Sequence, residues 1–550
     1  MMMSNKNFRR FLVIVVISGL TLFAINTFSI ASSHLRGQIN NPSIFNESTY
    51  RLKSSNTWIP DDTVICNATN DQNYLQICGD GAGGIICVWE DERNGSDIDI
   101  YAQRVNSTGD VQWTSNGIEV CTGSYTQYDP RICSDGAGGA IIAWTDLRDG
   151  TGISDIYAQR ISSNGNILWD VNGISICNAD EPQHYPWISR DEMGGAYITW
   201  MDSRNDFFDD IYLQRVNASG DVQWTVDGIA ICTANEYQRT PQVINDGSGG
   251  AIIVWQDGRS GVLDLYGQRV SPNGTILWTP NGKAICTQGH NQYNFNMCSD
   301  NQGGVFLAWQ NWWSPLGRYG IYAQWVNSSG DIQWAPNGET ICYLTDFDGN
   351  RGIPEICLDS NGDAVIAWED TRGWDPTDIY VQKINTTGNT QWTSNGKIIT
   401  TEEDYQESVK ICSDYNGGVI IVWDHYEAFG TGDIYAQRLN SAGDELWALN
   451  GELVCMANES QFNPEIYEDG FGGVIIAWLD DRNGIDLDIY AQRINSTGDI
   501  QWMTKEVTNG GGNGDRPYIS YGTYYLMIVI ISILSLVYVK KRQISHKRNF

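Results

Sequence analysis

Basic residues are scarce over most of this chain. Nine of its 34 lysines and arginines lie before Gly37 or after Val539, and neither of these tips contains Asp or Glu. Residues 37–539 therefore carry 25 basic against 66 acidic groups, a net charge of −41. Such a polyanion repels nucleic acid and anionic lipid head groups, so neither is expected as a partner.

The chain also lacks the motifs of common catalytic and zinc sites. Its five histidines are scattered, and it contains no G-x-S-x-G, H-E-x-x-H or phosphate-binding loop. It has thirteen cysteines but no C-x-x-C pair, so a zinc site is not indicated. Carboxylates are plentiful, and a glycosidase pair therefore stays open. We expect a binding protein rather than an enzyme.

Most of the chain consists of one unit of about 55 residues that is repeated eight times. Each copy carries a version of D-x-x-G-G, W-x-D-x-R, D-I-Y-A-Q-R and G-x-x-x-W, in that order. A fixed period of this size indicates one supersecondary unit per copy, packed against its neighbours. The first tryptophan of each copy recurs at intervals of 54–59 residues, at Trp89, Trp144, Trp200, Trp255, Trp309, Trp368, Trp423 and Trp478.

Within one copy, short β-rich segments are bounded by Gly, Asn and Asp turns. In the second copy these segments are 130–133, 140–144, 155–160 and 167–169. No window has the 3.6-residue apolar period of a helix, so each segment is predicted to be a β-strand. Four short antiparallel strands that recur radially form the blade of a β-propeller. The sequence thus predicts an all-β, eight-bladed β-propeller of four-stranded antiparallel blades over residues 57–508.

The ends of the repeat array predict how the ring closes. The last copy stops soon after Trp502 and lacks the N-G-x-x-I-C stretch, whereas Trp58 to Cys66 supplies that piece ahead of the first full copy. We therefore predict that residues 57–66 pair with or pack against the final blade and join the two ends of the array.

The repeat motifs resemble those of secreted and cell-surface β-propeller proteins of bacteria and archaea, whose blades carry D-x-x-G-G, W-x-D-x-R and D-I-Y-A-Q-R. The resemblance covers about 450 residues. It implies the propeller fold and a place at the cell surface. It implies little about function, because those proteins are mostly uncharacterised.

Both ends of the chain differ from the array. A basic start, an apolar run and small residues are typical of a signal peptide over residues 1–31, or of an uncleaved anchor, and 32–56 is then a linker. After a Gly-rich linker at 509–521, the uncharged stretch 522–539 predicts a single transmembrane helix with a basic cytoplasmic tail at 540–550. The propeller is therefore expected outside the cell, anchored in the membrane.

Twelve of the thirteen cysteines occupy two repeat positions, the end of N-G-x-x-I-C and the start of I-C-S-D. Four copies fill only one of these two positions, which suits a small buried apolar residue. The cysteines are therefore interpreted either as such buried residues or as disulfide partners, and both interpretations stay open. Four copies fill both positions, which outside the cell would allow disulfides between Cys66 and Cys78, Cys121 and Cys133, Cys286 and Cys298, and Cys342 and Cys357.

Carboxylates recur at two positions of the repeat. In the second copy they are Asp146, which is followed by Arg148, and Asp155. A ring of such carboxylates is one candidate for Ca²⁺ binding. We favour an arginine held between two aspartates across the loop, because the arginine comes and goes with its aspartate. A D-x-D-G-N loop, for which a polar turn is the alternative, is a second candidate calcium site with ligands Asp346, Asp348 and Asn350.

Two copies break the repeat pattern. In the fifth copy Trp312 and Trp313 enter the loop and Trp325 replaces the arginine of D-I-Y-A-Q-R. In the seventh copy His425 and Glu427 stand where Asp and Arg usually stand. Added tryptophans in a loop predict stacking on a sugar ring, with drift of one blade as the alternative. These five residues are the candidate ligand-binding residues.

The sequence favours a membrane-anchored extracellular propeller that acts as a binding or adhesion module for a carbohydrate or protein ligand at the cell surface. One alternative is a polysaccharide-degrading surface enzyme, a glycosidase or lyase, with its site near Trp312 and Trp313. Another is a structural component of the cell envelope. Ca²⁺ is the one candidate cofactor.

Overall fold

A computed structural model describes residues 62–502 except for 206–207, 314–317, 344–351, 373–375, 402–403 and 427–429. All described residues belong to one compact unit, Ile59–Phe550, and a second unit, Met1–Trp58, lies outside them. The predicted signal peptide, linkers, transmembrane helix and tail also lie outside the described residues. No described helix is long and apolar enough to cross a membrane. Four candidate site residues lie outside as well, namely Asp346, Asp348, Asn350 and Glu427.

In the described part of the chain, 32 β-strands form eight sheets of four antiparallel strands. We number these sheets as blades 1 to 8 in chain order. Blades 1 to 4 contain β2 (Gln72–Gly79), β3 (Ile85–Asp91), β4 (Asp99–Val105) and β5 (Ile118–Cys121); β6 (Gln127–Ser134), β7 (Ala140–Asp146), β8 (Asp155–Ile161) and β9 (Ile174–Cys177); β10 (Gln183–Arg190), β11 (Ala196–Asp202), β12 (Asp210–Val216) and β13 (Ile229–Cys232); and β14 (Gln238–Asn245), β15 (Ala251–Asp257), β16 (Asp264–Val270) and β17 (Lys283–Cys286).

Blades 5 to 8 follow the same order. They contain β18 (Gln292–Ser299), β19 (Val305–Trp313), β20 (Arg318–Val326) and β21 (Glu339–Tyr343); β22 (Glu355–Leu358), β23 (Ala364–Asp370), β24 (Asp378–Ile384) and β25 (Lys397–Ile398); β26 (Tyr405–Ser413), β27 (Val419–Tyr426), β28 (Gly432–Leu439) and β29 (Glu452–Cys455); and β30 (Gln461–Glu468), β31 (Val474–Asp480) and β32 (Asp488–Ile494) with β1 (Thr63–Cys66).

The first strand of each blade is the inner strand of the ring. Consecutive inner strands contact one another from β2 through β30, and β30 in turn contacts β2. The second, third and fourth strands follow outward in chain order. The prediction of an all-β, eight-bladed propeller with four-stranded antiparallel blades is confirmed.

The ring closes through its N-terminal strand. β1 pairs with β32 in antiparallel register and becomes the outer strand of blade 8. Ile65 and Cys66 are buried there, and Asp62 accepts a hydrogen bond of 2.9 Å from Arg482 Nη2. The predicted closure is confirmed for residues 63–66.

The core lies between adjacent blades. Each second strand is covered on both faces, and all seven residues of β7 are buried. Strands buried on both faces read as continuous apolar runs, which explains why the repeat shows little alternation. The repeat tryptophans are fully buried, and Trp89 stacks on Tyr101 with ring centroids 6.5 Å apart.

The W-x-D-x-R motif forms a buried ion pair. In blade 2, Asp146 Oδ2 accepts hydrogen bonds from Trp144 Nε1 at 2.7 Å and from Arg148 Nη2 at 2.5 Å. The guanidinium lies 3.5 Å from the ring centroid of Tyr157. The arginine is therefore held by one aspartate and a tyrosine, which corrects the expected arrangement between two aspartates. The second aspartate, Asp155, is separate, and burial raises its pKa to about 6.

The same ion pair recurs in five further blades, with Asp91, Asp202, Asp257, Asp370 and Asp480. These carboxylates are occupied by tryptophan and arginine donors rather than gathered around a cation site. Within the described ranges, no group of three or more His, Cys, Asp or Glu side chains is placed to hold a metal ion.

All thirteen cysteines are free thiols. Each predicted pair is split between an outer strand and the inner strand of the next blade, so the expected disulfides do not form. Cys66, for example, lies in β1 of blade 8 and Cys78 in β2 of blade 1. Cys66 Sγ instead lies 3.3 Å from Arg93 Nη2 of the next blade. The pairs split in this way are Cys66 and Cys78, Cys121 and Cys133, Cys286 and Cys298, and Cys342 and Cys357.

Candidate functional site

The antiparallel strands place two kinds of loop at the same end of every blade. These are the loops between the second and third strands and the connections between blades, and we call this end the upper face. The hairpins between the first and second strands lie on the lower face. Of the six exposed tyrosines in the described residues, only Tyr415 lies on the lower face. The upper face carries Tyr74, Tyr125, Tyr185, Tyr343 and Tyr405.

A groove of about 500 Å³ lies on the upper face between blades 4 and 5. We call it the blade 4–5 groove. The β19–β20 hairpin that borders it has nine residues in each strand, against seven in most blades. Trp312 is half-buried near the end of this longer hairpin, and its ring meets Tyr319 edge-on with centroids 4.9 Å apart. The groove is lined by Val262, Gly289, His290, Asn291, Tyr293 and Trp312.

Asn291 organises the polar side of the blade 4–5 groove. Its Nδ2 donates to the Tyr293 hydroxyl at 2.6 Å, and its Oδ1 accepts from the Leu263 backbone N–H at 2.8 Å. Its carbonyl accepts from the Trp312 backbone N–H at 3.0 Å. One asparagine thus ties the loops of two blades to the strand that carries the tryptophan.

The second predicted tryptophan, Trp313, is the last residue of β19 and pairs with Arg318 in the strand register. It therefore adjoins the groove residue Trp312 along the chain. Its side chain lies outside the described part of the structure.

Trp325 does not belong to the groove. It stacks on Phe306 with ring centroids 5.3 Å apart, and its Nε1 donates to Asp300 Oδ2 at 3.0 Å. It lies six strand residues beyond Tyr319, about 20 Å toward the lower face. The tryptophan takes the place of the arginine that binds the equivalent aspartate in other blades, so its role is structural.

His425 lies in blade 7, away from the blade 4–5 groove. Its ring centroid is 5.3 Å from that of Tyr435, and its Nδ1 is 3.2 Å from Gln406 Nε2. Its Nε2 lies 3.8 Å from a carboxylate oxygen of Asp404. The histidine occupies the place of the W-x-D-x-R aspartate and rests on the tyrosine that elsewhere carries the arginine. The structure therefore does not bring His425 and Trp312 together.

A second concavity, of about 640 Å³, lies among the inner strands of blades 6, 7, 8 and 1. We call it the channel cavity. The sequence reasoning missed it, because no motif marks its residues. Most of them stand at inner-strand positions, and Glu369 stands in the second strand, β23. The residue type at these positions changes from copy to copy while neighbouring positions repeat, and this variation is the signal that would have found them. Its polar and aromatic lining includes Tyr74, Glu355, Glu369, Glu407, Lys410 and Glu465.

The floor of the channel cavity is an ion triad. Lys410 Nζ lies 3.2 Å from Glu355 Oε1 and 3.3 Å from Glu465 Oε1. Burial raises the pKa of Glu355 even though the Lys410 ammonium opposes it. Burial alone would lower the pKa of Lys410, but the two carboxylates outweigh it and raise that pKa. The lysine is therefore charged and fixed between two glutamates that belong to neighbouring blades.

The triad continues around the ring through equivalent inner-strand positions. Asn296 Nδ2 donates to Glu355 Oε2 at 2.7 Å, and Gln76 Nε2 donates to Glu465 Oε1 at 3.4 Å. Arg131 Nη1 donates to Gln76 Oε1 at 3.1 Å. These contacts join the inner strands of six blades by side chains alone.

Three carboxyl groups beside the inner strands have strongly raised pKa values. Burial raises the pKa of Glu90 and of Glu369 to about 7 and that of Asp424 to about 6. Each residue directly follows a repeat tryptophan and ties its blade to the next. The backbone N–H donors are Asp129 to Glu90 at 2.7 Å, Val409 to Glu369 at 3.4 Å, and Asn463 to Asp424 at 3.0 Å.

No family model and no curated protein matches the chain. Among solved structures it is similar to an ulvan lyase of a polysaccharide lyase family, at 11% identity and a TM-score of 0.40, over 80% of this chain and 95% of that chain. It is also similar to the β-propeller domain of the Trilobed protease from Pyrococcus furiosus, at 10% identity and 0.36, over 66% and 94%. An endo-arabinase from Bacteroides thetaiotaomicron matches at 14% identity and 0.28, over 56% and 92%. The structural neighbours thus include carbohydrate-active enzymes, and the likeness concerns the fold alone.

Proposed function

We propose that this chain is a membrane-anchored, extracellular propeller whose upper face binds a carbohydrate, with the blade 4–5 groove as the main sugar contact. The observation that carries the proposal is the half-buried Trp312, which lies edge-on to Tyr319 in a groove of about 500 Å³. Pockets of roughly 300–1,000 Å³ that combine aromatic walls with a few polar groups are typical of small-ligand sites.

The chemistry of the groove matches that of a sugar ring. A pyranose has an apolar face, which an exposed tryptophan ring covers, and a rim of hydroxyl groups that need hydrogen-bond partners. Asn291 and His290 supply polar groups beside Trp312. The five exposed tyrosines on the same face give further ring surfaces for a longer glycan.

Cleavage of the glycan is the second candidate function. Burial raises the pKa of Glu369 to about 7, so a large fraction of this carboxyl group is protonated near neutral pH. A general acid needs this property, and the side chain lines the channel cavity. Release of reducing ends from a bound polysaccharide, abolished in Glu369→Gln, would make the protein an enzyme. Unchanged polysaccharide after prolonged incubation supports binding alone.

We expect Trp312→Ala to weaken glycan binding by the full-length chain by about tenfold, because one aromatic stacking surface is lost. A glycan array identifies the ligand, and calorimetry then measures affinity. Leu147→Ala is the matched control, since the backbone N–H groups of both residues make the same hydrogen bond to the preceding inter-blade connection. Equal affinity of the two variants for the glycan would show that the blade 4–5 groove is not the sugar contact. No glycan binding by the unmodified chain would reject the proposed function.

A further inference from the structure

The channel cavity has a strong excess of carboxylates. Its lining contains Glu355, Glu369, Glu407 and Glu465, and its one lining cation is Lys410. That lysine is already held by Glu355 and Glu465. No described lysine or arginine pairs with the other two glutamates, and Glu407 is exposed in the wall nearer the upper face. Burial raises the pKa of Glu369 to about 7, so this carboxyl group is only partly ionised near neutral pH.

Lys410 shows which chemistry the cavity wall accepts. It is a primary ammonium held between two carboxylates, with both N–O separations close to 3.2 Å. A second ammonium from a ligand would meet carboxyl partners at the half-buried Glu369 and the exposed Glu407. It would favour the ionised form of Glu369, because a neighbouring opposite charge stabilises a carboxylate.

The same cavity offers aromatic surface. Tyr74 and Phe462 line it together with the glutamates, and Tyr74 remains exposed at the upper face. An aromatic face attracts both the apolar side of a sugar ring and a nearby cation. A protonated amino sugar combines these two features in one residue, whereas a neutral sugar has no cation and a uronate has the wrong charge.

The net charge of residues 37–539 also favours a cationic ligand. Residues 37–539 carry a net charge of −41, so an anionic glycan is repelled and a cationic one is concentrated near the surface. The cavity volume of about 640 Å³ lies in the range for small-ligand pockets.

We infer that the channel cavity binds a protonated amino sugar of the glycan held by the upper face, through the carboxylates of Glu369 and Glu407. This inference rests on the proposed function, because the amino sugar is a residue of that same glycan. The bound glycan is then an amine-bearing one, and it contacts the protein at a second point that is distinct from the blade 4–5 groove.

The test compares two probes on the full-length chain, a deacetylated glucosamine oligomer and the same oligomer with its amines N-acetylated. We expect the amine form to bind at least about tenfold more tightly at low salt, and the difference to shrink at high salt. In Glu369→Gln/Glu407→Gln the preference should disappear, while affinity for the N-acetylated oligomer stays unchanged. Glu119→Gln, at an exposed position of the outer strand β5, should keep the preference.

The outcomes separate this inference from the proposed function. Equal affinity for both oligomers, weakened by Trp312→Ala, would overturn the amine site and keep carbohydrate binding. A preference for the amine that survives in the double variant would also overturn the assignment to Glu369 and Glu407. If neither these oligomers nor any glycan on an array is bound, both proposals fail. Melting of the double variant at or above the temperature of the unmodified chain shows that a loss of binding is not a loss of folding.

Discussion

Deletion of residues 1–66 is expected to lower the melting temperature of the propeller by on the order of 10 °C. The deletion removes β1, and with it the fourth strand of blade 8 and the join between the two ends of the array. Loss of the buried Ile65 and Cys66 and of the Asp62 partner of Arg482 is worth about 5 kcal/mol. Deletion of residues 1–56 keeps the whole predicted closure and is the matched control.

A single substitution tests the same closure in the full-length chain. Asp62 accepts hydrogen bonds from Arg482 Nη2 and from the Cys455 thiol, and its side chain is fully buried. Asp62→Ala should therefore destabilise the protein clearly, whereas Asp62→Asn keeps an acceptor and should cost less. Melting of the 1–66 deletion at the same temperature as the 1–56 deletion would contradict ring closure by β1.

Raising the pH from about 5 to 8 is expected to destabilise the fold by on the order of 5 kcal/mol. Among the buried or half-buried carboxyl groups with raised pKa values, six reach a pKa of about 6 or 7, and burial is the largest cause for each. In the unfolded chain they titrate near pH 4. Between pH 4 and 7 the folded state therefore binds more protons than the unfolded state, so stability falls as the pH rises through this window. The values are about 6 for Asp99, Asp155, Asp424 and Asp488, and about 7 for Glu90 and Glu369.

Glu369 gives the sharpest control for this pH dependence. Glu369→Gln removes one raised carboxyl group, and blades 4 and 5 already carry Gln256 and Gln310 at the equivalent position. The variant should gain about 2 kcal/mol over the unmodified chain at pH 8 and little at pH 4.5. Glu459→Gln, at an exposed position, should gain nothing. Thermal melting across this pH range measures both effects, and a stability that rises toward pH 8 would refute the burial of these carboxylates.

The carboxyl group of Asp359 opposes the trend of the buried groups. Burial would raise the pKa of Asp359, but the Lys383 ammonium outweighs it and lowers that pKa. This group therefore stabilises the fold at higher pH and loses its contribution as the pH falls.

The fold was predictable because the sequence pattern of one blade recurs eight times along the chain. Trp144 and its equivalents recur at a fixed interval, and a blade of fixed size must be built from each copy. The closure was also predictable, because the stretch that ends at Cys66 repeats the piece that the last copy lacks. Both inferences needed only the order and spacing of residues along the chain.

The candidate sites were less predictable, because they depend on contacts between copies. Trp312 was found by its departure from the repeat, and it does line a groove. Trp325 departs from the repeat as well, but it fills a structural position beside Phe306. Departure from a pattern therefore does not distinguish a ligand contact from a packing substitution.

The channel cavity and the cysteine positions show a second limit. Glu355, Lys410 and Glu465 come from three different blades, and only ring closure brings them together. Likewise, Cys66 and Cys78 are close in the chain but lie in different blades. Their proximity in the sequence suggested a disulfide bond, whereas the ring places the two cysteines on the sheets of neighbouring blades.

Hydrogen exchange with bound glycan is the most direct test of the upper face as the binding surface. The full-length chain, saturated with the best glycan from the array, should show slower exchange at residues 288–293, which border the blade 4–5 groove. Exchange in the lower-face hairpins at 135–139 and 246–250 should stay unchanged. Slower exchange confined to the lower-face hairpins, with no change at 288–293, would contradict binding at the upper face.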